Sequence, residues 1–289
     1  MSVQTLNQTF SYHLQIASFD IPTPMTYPVF IMGLLLYLFS VFCNLTILLL
    51  IITQRTLHKP MFYILFSLPL NDLVGISSML PRVLSDIVTQ THSVYYPTCV
   101  FQAFLCHLYG GGVLFVLAAM SIDRYFAICK PLQYPSIMTP FTLCVIISAA
   151  WGLDMAMILT LFALQSRVKR CKAYILNIYC DNPSLLRLYC DDTHINNCYG
   201  LFITAVFQDV TLIVVIFTYI LILLTCVMNK STDARSKAIQ TSGTHLVVLL
   251  FIDCQSLSLI LSISSISEEG FWSYGVPTDS ESPHLWSKN

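Results

Sequence analysis

Charged side chains are scarce in this sequence. They make up 10% of its 289 residues, whereas soluble domains average about 25%. Lys and Arg number 14 against 15 Asp and Glu, so the net charge of −1 gives no basic field to attract nucleic acid. Hydrophobic residues make up 56%, and the mean hydropathy is +0.71. Because so few polar groups cannot cover a globule in water, the composition excludes soluble domains and predicts one membrane-embedded bundle.

Long uncharged runs divide the chain into membrane spans. A spanning helix needs roughly 20 mostly apolar residues, and six segments meet this requirement. They cover residues 28–53, 61–80, 100–122, 141–164, 199–228 and 243–266. The sequence therefore predicts an all-α membrane protein with six recognisable transmembrane helices.

The end of the chain differs from the rest. Residues 267–289 are rich in Ser, Pro and acidic groups, and no window there is long and apolar enough to span a bilayer. We expect an exposed, disordered polar tail. The predicted organisation is an outer amino-terminal segment over 1–27, a bundle over 28–266 and this atypical tail over 267–289.

Basic residues of the short loops predict the orientation in the bilayer. The loops after odd-numbered spans contain Arg55, Lys59, Arg124, Lys130, Lys230, Arg235 and Lys237. The loop after span two holds only Arg82, and the amino-terminal segment has no Lys or Arg. Because basic loops stay in the cytoplasm, we expect a multi-pass plasma-membrane protein with an extracellular amino terminus. On that side, Asn7 of the Asn-Gln-Thr triplet is a predicted glycosylation site.

Ten of the eleven cysteines form two groups, and none of the eleven makes a zinc-type CxxC pair. Those within spans are expected to be small buried hydrophobes: Cys43, Cys106, Cys144, Cys226 and Cys254. Those on the predicted outer side are Cys99, Cys171, Cys180, Cys190 and Cys198. Disulfides persist in that oxidising compartment, so bridges are expected to tie the long outer loop to the top of span three as a lid. Cys198, at the membrane edge, is the candidate for the unpaired cysteine.

Several motifs occur together in a fixed order. At the cytoplasmic end of span three, residues 120–132 read MSIDRYFAICKPL. A charged pair there can hold a cytoplasmic surface closed, although an exposed ion pair alone contributes only about 0–1 kcal/mol. Span two follows LHKPMFY at 57–63 and contains Asp72, and span six follows KAIQTSGTH at 237–245. The outer loop contains cysteines at 171, 180 and 190.

This set resembles the olfactory receptors, a branch of the rhodopsin-like G-protein-coupled receptors, over residues 28–262. The resemblance implies a rhodopsin-like helical bundle that binds a small-molecule odorant from outside. It also implies an olfactory-type heterotrimeric G protein as partner, which raises cyclic AMP. The implied disulfides are Cys99–Cys180 and Cys171–Cys190. In the Asp123-Arg124-Tyr125 triplet, Arg124 corresponds to the arginine that releases from Asp123 and faces the G protein, and Tyr219 to a tyrosine that supports the active state.

The resemblance also implies a ligand pocket. Its walls would be Cys106, His107, Gly110 and Gly111 of span three, Ile203 and Phe207 of span five, and Asp253, Ser256, Leu257 and Ile260 of span six. The Gly110–Gly112 run is either a close helix contact or space for a ligand, with close packing the default. His107 and Asp253 suit a ligand with a hydrogen-bond donor or a cationic group. For Asp154 and Asp209, the favoured interpretation is an uncharged acid, hydrogen-bonded to a neighbouring helix or near an interface.

Some positions depart from the family pattern. The usual Gly-Asn of span one is Cys43-Asn44, and Val113 replaces a Glu that helps Asp72 hold a sodium ion, which weakens the sodium prediction. The signature of a seventh span is not found after residue 266. Asp72 at mid-membrane costs about 2.5–3.5 kcal/mol unless paired or hydrated, and Asn44 would lack a facing helix. The chain is therefore expected to fold poorly or be retained in the cell, and the alternative function is a truncated, signalling-defective receptor product.

Other membrane functions fit less well. A transporter often has inverted repeats and paired broken helices, and neither is apparent. A membrane enzyme would require clustered His, Cys or acidic residues, such as HExxH, and the sequence contains none. We therefore predict no enzymatic activity and no cofactor, and no metal apart from the possible sodium ion at Asp72.

Overall fold

The computed structural model describes residues 12–17, 21–57, 60–228 and 247. Helices dominate, and they are α1 Thr26–Thr53, α2 Pro60–Thr89, α3 Tyr96–Cys129, α4 Tyr134–Ile137, α5 Pro140–Gln165, α6 Asn182–Leu186 and α7 His194–Met228. Single 3₁₀ turns lie at Thr23–Met25 and Arg55–Leu57. Three short strands complete the described part: β1 His13–Ile16, β2 Ser93–Tyr95 and β3 Tyr174–Ile175.

Five helices of the described part are long and apolar enough to cross a bilayer, namely α1, α2, α3, α5 and α7. They confirm the first five predicted spans. The helices extend beyond the apolar runs, most clearly in α3, because end turns remain helical after they leave the hydrocarbon region. Proline is the first residue of α2 (Pro60) and of α5 (Pro140). Thr139 is the N-cap of α5, and its hydroxyl accepts a hydrogen bond from the Thr142 N–H at 3.2 Å. The predicted sixth span and the tail lie outside the described residues.

The outer faces of these helices are apolar and uncovered. On α1, Leu35, Leu36, Phe39 and Phe42 each expose more than half of their surface. Such a continuous apolar face is unfavourable in water and matches the hydrocarbon interior of a bilayer, where helices satisfy their own backbone groups. The fold is therefore that of a multi-pass membrane protein.

Helix α3 is the centre of the described bundle, since it contacts α2, α5 and α7. Helix α1 packs on α2. Toward the end that carries Asp123, a core cluster of Ile64, Val116, Met120, Met138 and Leu143 joins α2, α3 and α5. This packing holds the Asp123 end of α3 against α2 and α5.

A small three-stranded sheet lies at the other end of α3 and was not predicted. Strand β1 is central, antiparallel to β2 with His13 opposite Tyr95, and parallel to β3 with Gln15 opposite Tyr174. We call this sheet, together with residues 166–193, the lid. Its core is formed by Leu14, Ile16, Val94, Cys99, Ala103, Ile175, Cys180, Leu185 and Leu188. Strand β1 brings part of the amino-terminal segment into the lid. The strands of the sheet have only two to four residues, which is too short for a sequence pattern to reveal.

Candidate ligand site and signalling surface

Two disulfides fix the lid. Cys99 at the start of α3 is bonded to Cys180, with the Cα atoms 5.3 Å apart. Cys171 is bonded to Cys190 within the lid, with the Cα atoms 5.6 Å apart. Both are the pairings that the family resemblance implies. Cys198 is a free, exposed cysteine in α7, as expected from its position at the membrane edge.

Aromatic contacts anchor the lid further. The hydroxyls of Tyr96 and Tyr189 are hydrogen-bonded at 2.9 Å, and the Arg170 guanidinium lies 4.0 Å above the centre of the Tyr96 ring. Burial, and then the hydrogen bond to Tyr96, raise the pKa of the Tyr189 hydroxyl. On the α5 side, the Gln165 side chain donates a hydrogen bond to Asn182. The lid is thus attached to both α3 and α5.

The predicted pocket face of α3 lies below this lid. Cys106 is half-buried, with its sulfur 3.9 Å from the Ser78 hydroxyl of α2. The His107 ring is edge-on to Phe162 of α5, with the ring centres 6.5 Å apart. At Gly110, a side chain would meet no atom of the described residues within 4 Å. Among the described residues, this part of α3 therefore has free space beside it.

The other two glycines of the run are helix contacts. A Cβ atom at Gly111 would collide with the Asp154 carboxylate of α5. At Gly112, a Cβ atom would collide with the Asn71 amide oxygen of α2 and the ring of Trp151. Gly111 therefore lies at the α3–α5 contact, and close packing holds for Gly111 and Gly112. Ligand space at Gly110 stays a prediction.

Helix α7 carries two more of the predicted wall residues. Ile203 and Phe207 are buried, and the Phe207 ring lies 5.0 Å from that of Phe115 on α3. The two helices therefore meet through an aromatic contact in this region. The remaining predicted wall residues lie outside the described part of the chain: Asp253, Ser256, Leu257 and Ile260. The predicted glycosylation site Asn7 also lies outside it.

The two acids of the predicted spans, Asp154 and Asp209, differ in burial. Asp154 is fully buried, and neither of its carboxyl oxygens has a hydrogen-bond partner among the described residues. The expected bond to a neighbouring helix is therefore absent there, because Asp154 faces Gly111, which has no side chain to donate one. Asp209 is exposed on α7.

Asn44 and Asp72 do not bond to each other. The Asn44 amide donates to the Ser40 carbonyl of its own helix at 3.0 Å. Asp72 is half-buried and makes no hydrogen bond or ion pair with another described residue. The neighbouring residue Asn71 is buried and links α2 to α3. The Asn71 amide donates a hydrogen bond to the Tyr109 carbonyl of α3 at 2.8 Å. No group of three His, Cys, Asp or Glu side chains that could hold a metal occurs in the described part, so the sodium prediction gains no support.

The Asp123 end contains a hydrogen bond that sequence reasoning missed. Asp123 is buried and accepts a hydrogen bond from the Tyr134 hydroxyl of α4 at 2.8 Å. Burial, and then this bond to Asp123, raise the pKa of Tyr134, so the phenol remains a donor. Arg124 contacts the Met61 sulfur instead. Asp123 and Arg124 are close enough to interact electrostatically, but the recorded contacts of their side chains are with Tyr134 and Met61.

Further residues surround this end. The Tyr125 ring is edge-on to Phe126, with centres 5.2 Å apart. Tyr219 is buried on α7, and its hydroxyl has no hydrogen-bond partner among the described residues. Leu132, just beyond α3, exposes 97% of its surface. The sequence KPLQY at 130–134 contains both Leu132 and Tyr134, and it is the only sequence feature that could have indicated them.

A membrane bundle with a disulfide-bonded lid at one end and an Asp-Arg-Tyr triplet at the other defines a receptor of the rhodopsin-like class. The family described as olfactory receptor matches residues 34–264. Human olfactory receptor 1N2 is 35% identical over 236 residues, which cover 81% of this chain and 75% of that receptor. Mouse olfactory receptor 8B3 is 32% identical over 84% of this chain and 77% of its own length.

The chain therefore belongs to the olfactory receptor family. Membership implies odorant sensing through G-protein signalling in a membrane. It also agrees with the prediction that the protein is not an enzyme.

Proposed function

We propose that this receptor binds its odorant between α3 and α7 and activates an olfactory-type heterotrimeric G protein, which raises cyclic AMP. The open space at Gly110, below a lid attached by Cys99–Cys180, is the observation that carries the proposal. A small molecule can contact Cys106 and His107 there, with Ile203 and Phe207 on the opposite helix. Recognition pockets of this kind are mostly apolar with a few polar groups.

The proposed orientation places the lid outside the cell. Disulfides persist in oxidising compartments, and both of them lie in or beside the lid. Strand β1 is part of the same lid, which supports an extracellular amino terminus at the plasma membrane. Arg55 and Lys130 are exposed at the opposite ends of α1 and α3, in agreement with the preference of basic loops for the cytoplasm. Asn7 would then be available for glycosylation.

The proposed G-protein surface lies around Asp123, Arg124 and Tyr125. Leu132 supports it, because an almost completely exposed apolar side chain at the end of a helix is a suitable anchor for a protein partner. Tyr219 on α7 presents a buried hydroxyl to the same end of the bundle. A rearrangement of α7 against α3 could therefore change the partners of Arg124 and Tyr219 together.

The test is a cyclic AMP assay in cells that express the tagged chain with an olfactory-type G protein. Aliphatic alcohols, aldehydes and amines serve as the odorant panel. We expect at least one of them to raise cyclic AMP, and Arg124→Ala to abolish that rise while the receptor remains at the surface. Normal surface staining with no response to any member of the panel would contradict the proposal.

The ligand chemistry can be tested in the same cells. His107 and Asp253 are proposed to favour donors or cations, so Asp253→Asn should weaken the response to amines more than the response to neutral odorants. Equal responses of the variant and the wild type to both groups would refute this part of the proposal.

A further inference from the structure

Gln102 joins three parts of the molecule through one side chain. It lies on α3, three residues after Cys99, and is only 6% exposed. Its amide oxygen accepts a hydrogen bond from the backbone N–H of Cys180 at 3.0 Å. Its amide nitrogen donates to the backbone carbonyl of Ser78 at 2.8 Å. The lid, α3 and α2 therefore meet at this amide.

The junction lies directly next to the proposed pocket. Gln102 and Cys106 are four residues apart on α3 and so share a face of the helix. The Ser78 hydroxyl, which donates to the Gly75 carbonyl at 2.8 Å, is also 3.9 Å from the Cys106 sulfur. A change in the partners of Gln102 would thus act on α2 and on the pocket wall together.

Tyr179, the lid residue before Cys180, lies next to this junction. Burial raises the pKa of the Tyr179 hydroxyl, the Asp181 carboxylate raises it further, and a thiolate at Cys106 would add to this effect. Tyr179 is half-buried and close enough to Cys106 for charges on the two side chains to interact. The Asp181 carboxylate already has two hydrogen-bond donors. It accepts from the Ser184 N–H at 2.9 Å and from the Asn177 amide at 3.1 Å.

The disulfide alone does not link the lid to α2. Cys99–Cys180 connects the lid to α3 only. A separate contact to α2 runs from Arg82 to the Ser93 carbonyl of β2, at 2.5 Å. Gln102 bridges the Cys180 N–H and the Ser78 carbonyl, and so gives the Cys180 segment a hydrogen-bonded connection to α2. Because Cys180 is fully buried, its N–H would have no water to replace a lost acceptor.

We infer that Gln102 is a positioning residue for ligand recognition, which holds the Tyr179–Cys180 part of the lid at a fixed height over the Cys106 face of the pocket. The inference rests on the proposed function, because it requires an odorant to bind below the lid. Gln102 acts through the lid and needs no contact with the ligand. Its loss should therefore change ligand potency rather than the capacity to signal.

The direct test is hydrogen–deuterium exchange of the full chain in lipid nanodiscs. Gln102→Met keeps the length of the side chain but removes both hydrogen bonds. We expect the Cys180 amide to exchange about tenfold faster in this variant, with the amides of α1 unchanged. Gln15→Met is the matched control, since Gln15 is an exposed glutamine of the same lid, and it should leave Cys180 unaffected. An unchanged Cys180 amide in Gln102→Met would overturn the inference.

A second variant separates the two bonds and covers the case in which Gln102→Met does not fold. Gln102→Glu keeps an acceptor for the Cys180 N–H but loses the donor to Ser78. The Cys180 amide should therefore stay protected in Gln102→Glu. Fast exchange at Cys180 in this variant, with the rest of the chain protected, would show that the acceptor does not hold the lid.

The functional test uses the same odorant panel in cells. Gln102→Met should raise the half-maximal odorant concentration about tenfold, or about 1.4 kcal/mol, while the maximal response per surface receptor stays unchanged. A purely structural role would instead lower the surface amount and leave the half-maximal concentration unmoved, which would contradict the inference. If the wild-type receptor responds to no odorant, the proposed function fails, and the exchange experiment still decides the role of Gln102.

Discussion

Asp123 and Arg124 are adjacent in sequence but have different partners. The Asp123 carboxylate accepts from the Tyr134 hydroxyl, whereas the Arg124 guanidinium contacts Met61 on α2. Because Asp123 is almost completely buried, loss of its donor costs about 1–3 kcal/mol. Tyr134 therefore competes with Arg124 for this carboxylate and leaves the guanidinium available at the Asp123 end.

The variant Tyr134→Phe tests this competition. It keeps the ring in the core cluster but removes the donor, so Asp123 should turn to the neighbouring Arg124 and withdraw it from the signalling surface. We expect the maximal odorant response per surface receptor to fall roughly tenfold, the equivalent of about 1.4 kcal/mol, with an unchanged half-maximal concentration. The measurement is cyclic AMP normalised to surface staining.

Tyr27→Phe is the control for this variant, because it removes a phenol hydroxyl from an exposed tyrosine in the first turn of α1, outside the proposed G-protein surface. Its response should stay closer to that of the wild type. The raised pKa of Tyr134 makes the bond to Asp123 fully present below about pH 10, the ordinary phenol value, and lost only as pH rises through the raised pKa. An undiminished maximal response in Tyr134→Phe would contradict the competition.

The neighbouring glycines of α3 give a second prediction at the scale of single residues. Gly111→Ala should destabilise the receptor by about 1–3 kcal/mol, because the new methyl group meets the Asp154 carboxylate. Gly110→Ala meets no described atom within 4 Å, and because Ala is favoured over Gly inside a helix by about 1 kcal/mol, it should keep or raise the thermal unfolding temperature. Unfolding of the two variants in detergent, followed by intrinsic fluorescence, distinguishes them. Equal losses of stability would refute the division between contact and open space.

At the scale of elements, β1 is the least expected part of the lid. It lies between β2 and β3, and its Leu14 side chain is fully buried among lid residues while Gln15 is exposed. This alternation is that of a strand with one covered face. Without β1, the other two strands have no hydrogen-bonded neighbour in this sheet.

The variant Leu14→Asp should therefore disrupt the lid, because it buries an unpaired charge in the core. We expect its surface amount, measured by flow cytometry of a tagged receptor, to fall several-fold. Gln15→Asp introduces the same charge one residue later on the exposed face and should be expressed normally. If both variants reached the surface equally well, β1 would not be a structural part of the lid.

Sequence reasoning succeeded where a pattern extends over many residues. Five apolar runs predicted the helices, and the family resemblance implied both disulfides, including Cys99–Cys180. It failed where a feature depends on contacts between distant segments. The lid sheet and the double role of Gln102 join residues far apart in sequence. The Tyr134–Asp123 bond joins the ends of two helices across the turn between them. The Gly110–Gly112 run shows the same limit, since only the neighbouring helices decide which glycine is a contact.

At the scale of the described bundle, α3 connects the two functional ends. Its first turns carry Cys99 and Gln102 below the lid, and its last turns carry Asp123 and Arg124. Helix α7 packs along α3 between them through the Phe115–Phe207 contact. A ligand between these helices could therefore alter their packing and change the surface around Arg124, which is a suitable two-state element for signalling.

The most direct measurement is nucleotide exchange by a purified olfactory-type G protein mixed with the full chain in nanodiscs. The account predicts that an odorant of the panel accelerates GTP uptake, and that Leu132→Asp abolishes the acceleration while odorant binding is retained. If the folded receptor, with a protected Cys180 amide, binds an odorant but never accelerates exchange, then the lid and the Asp123 end do not form one signalling device.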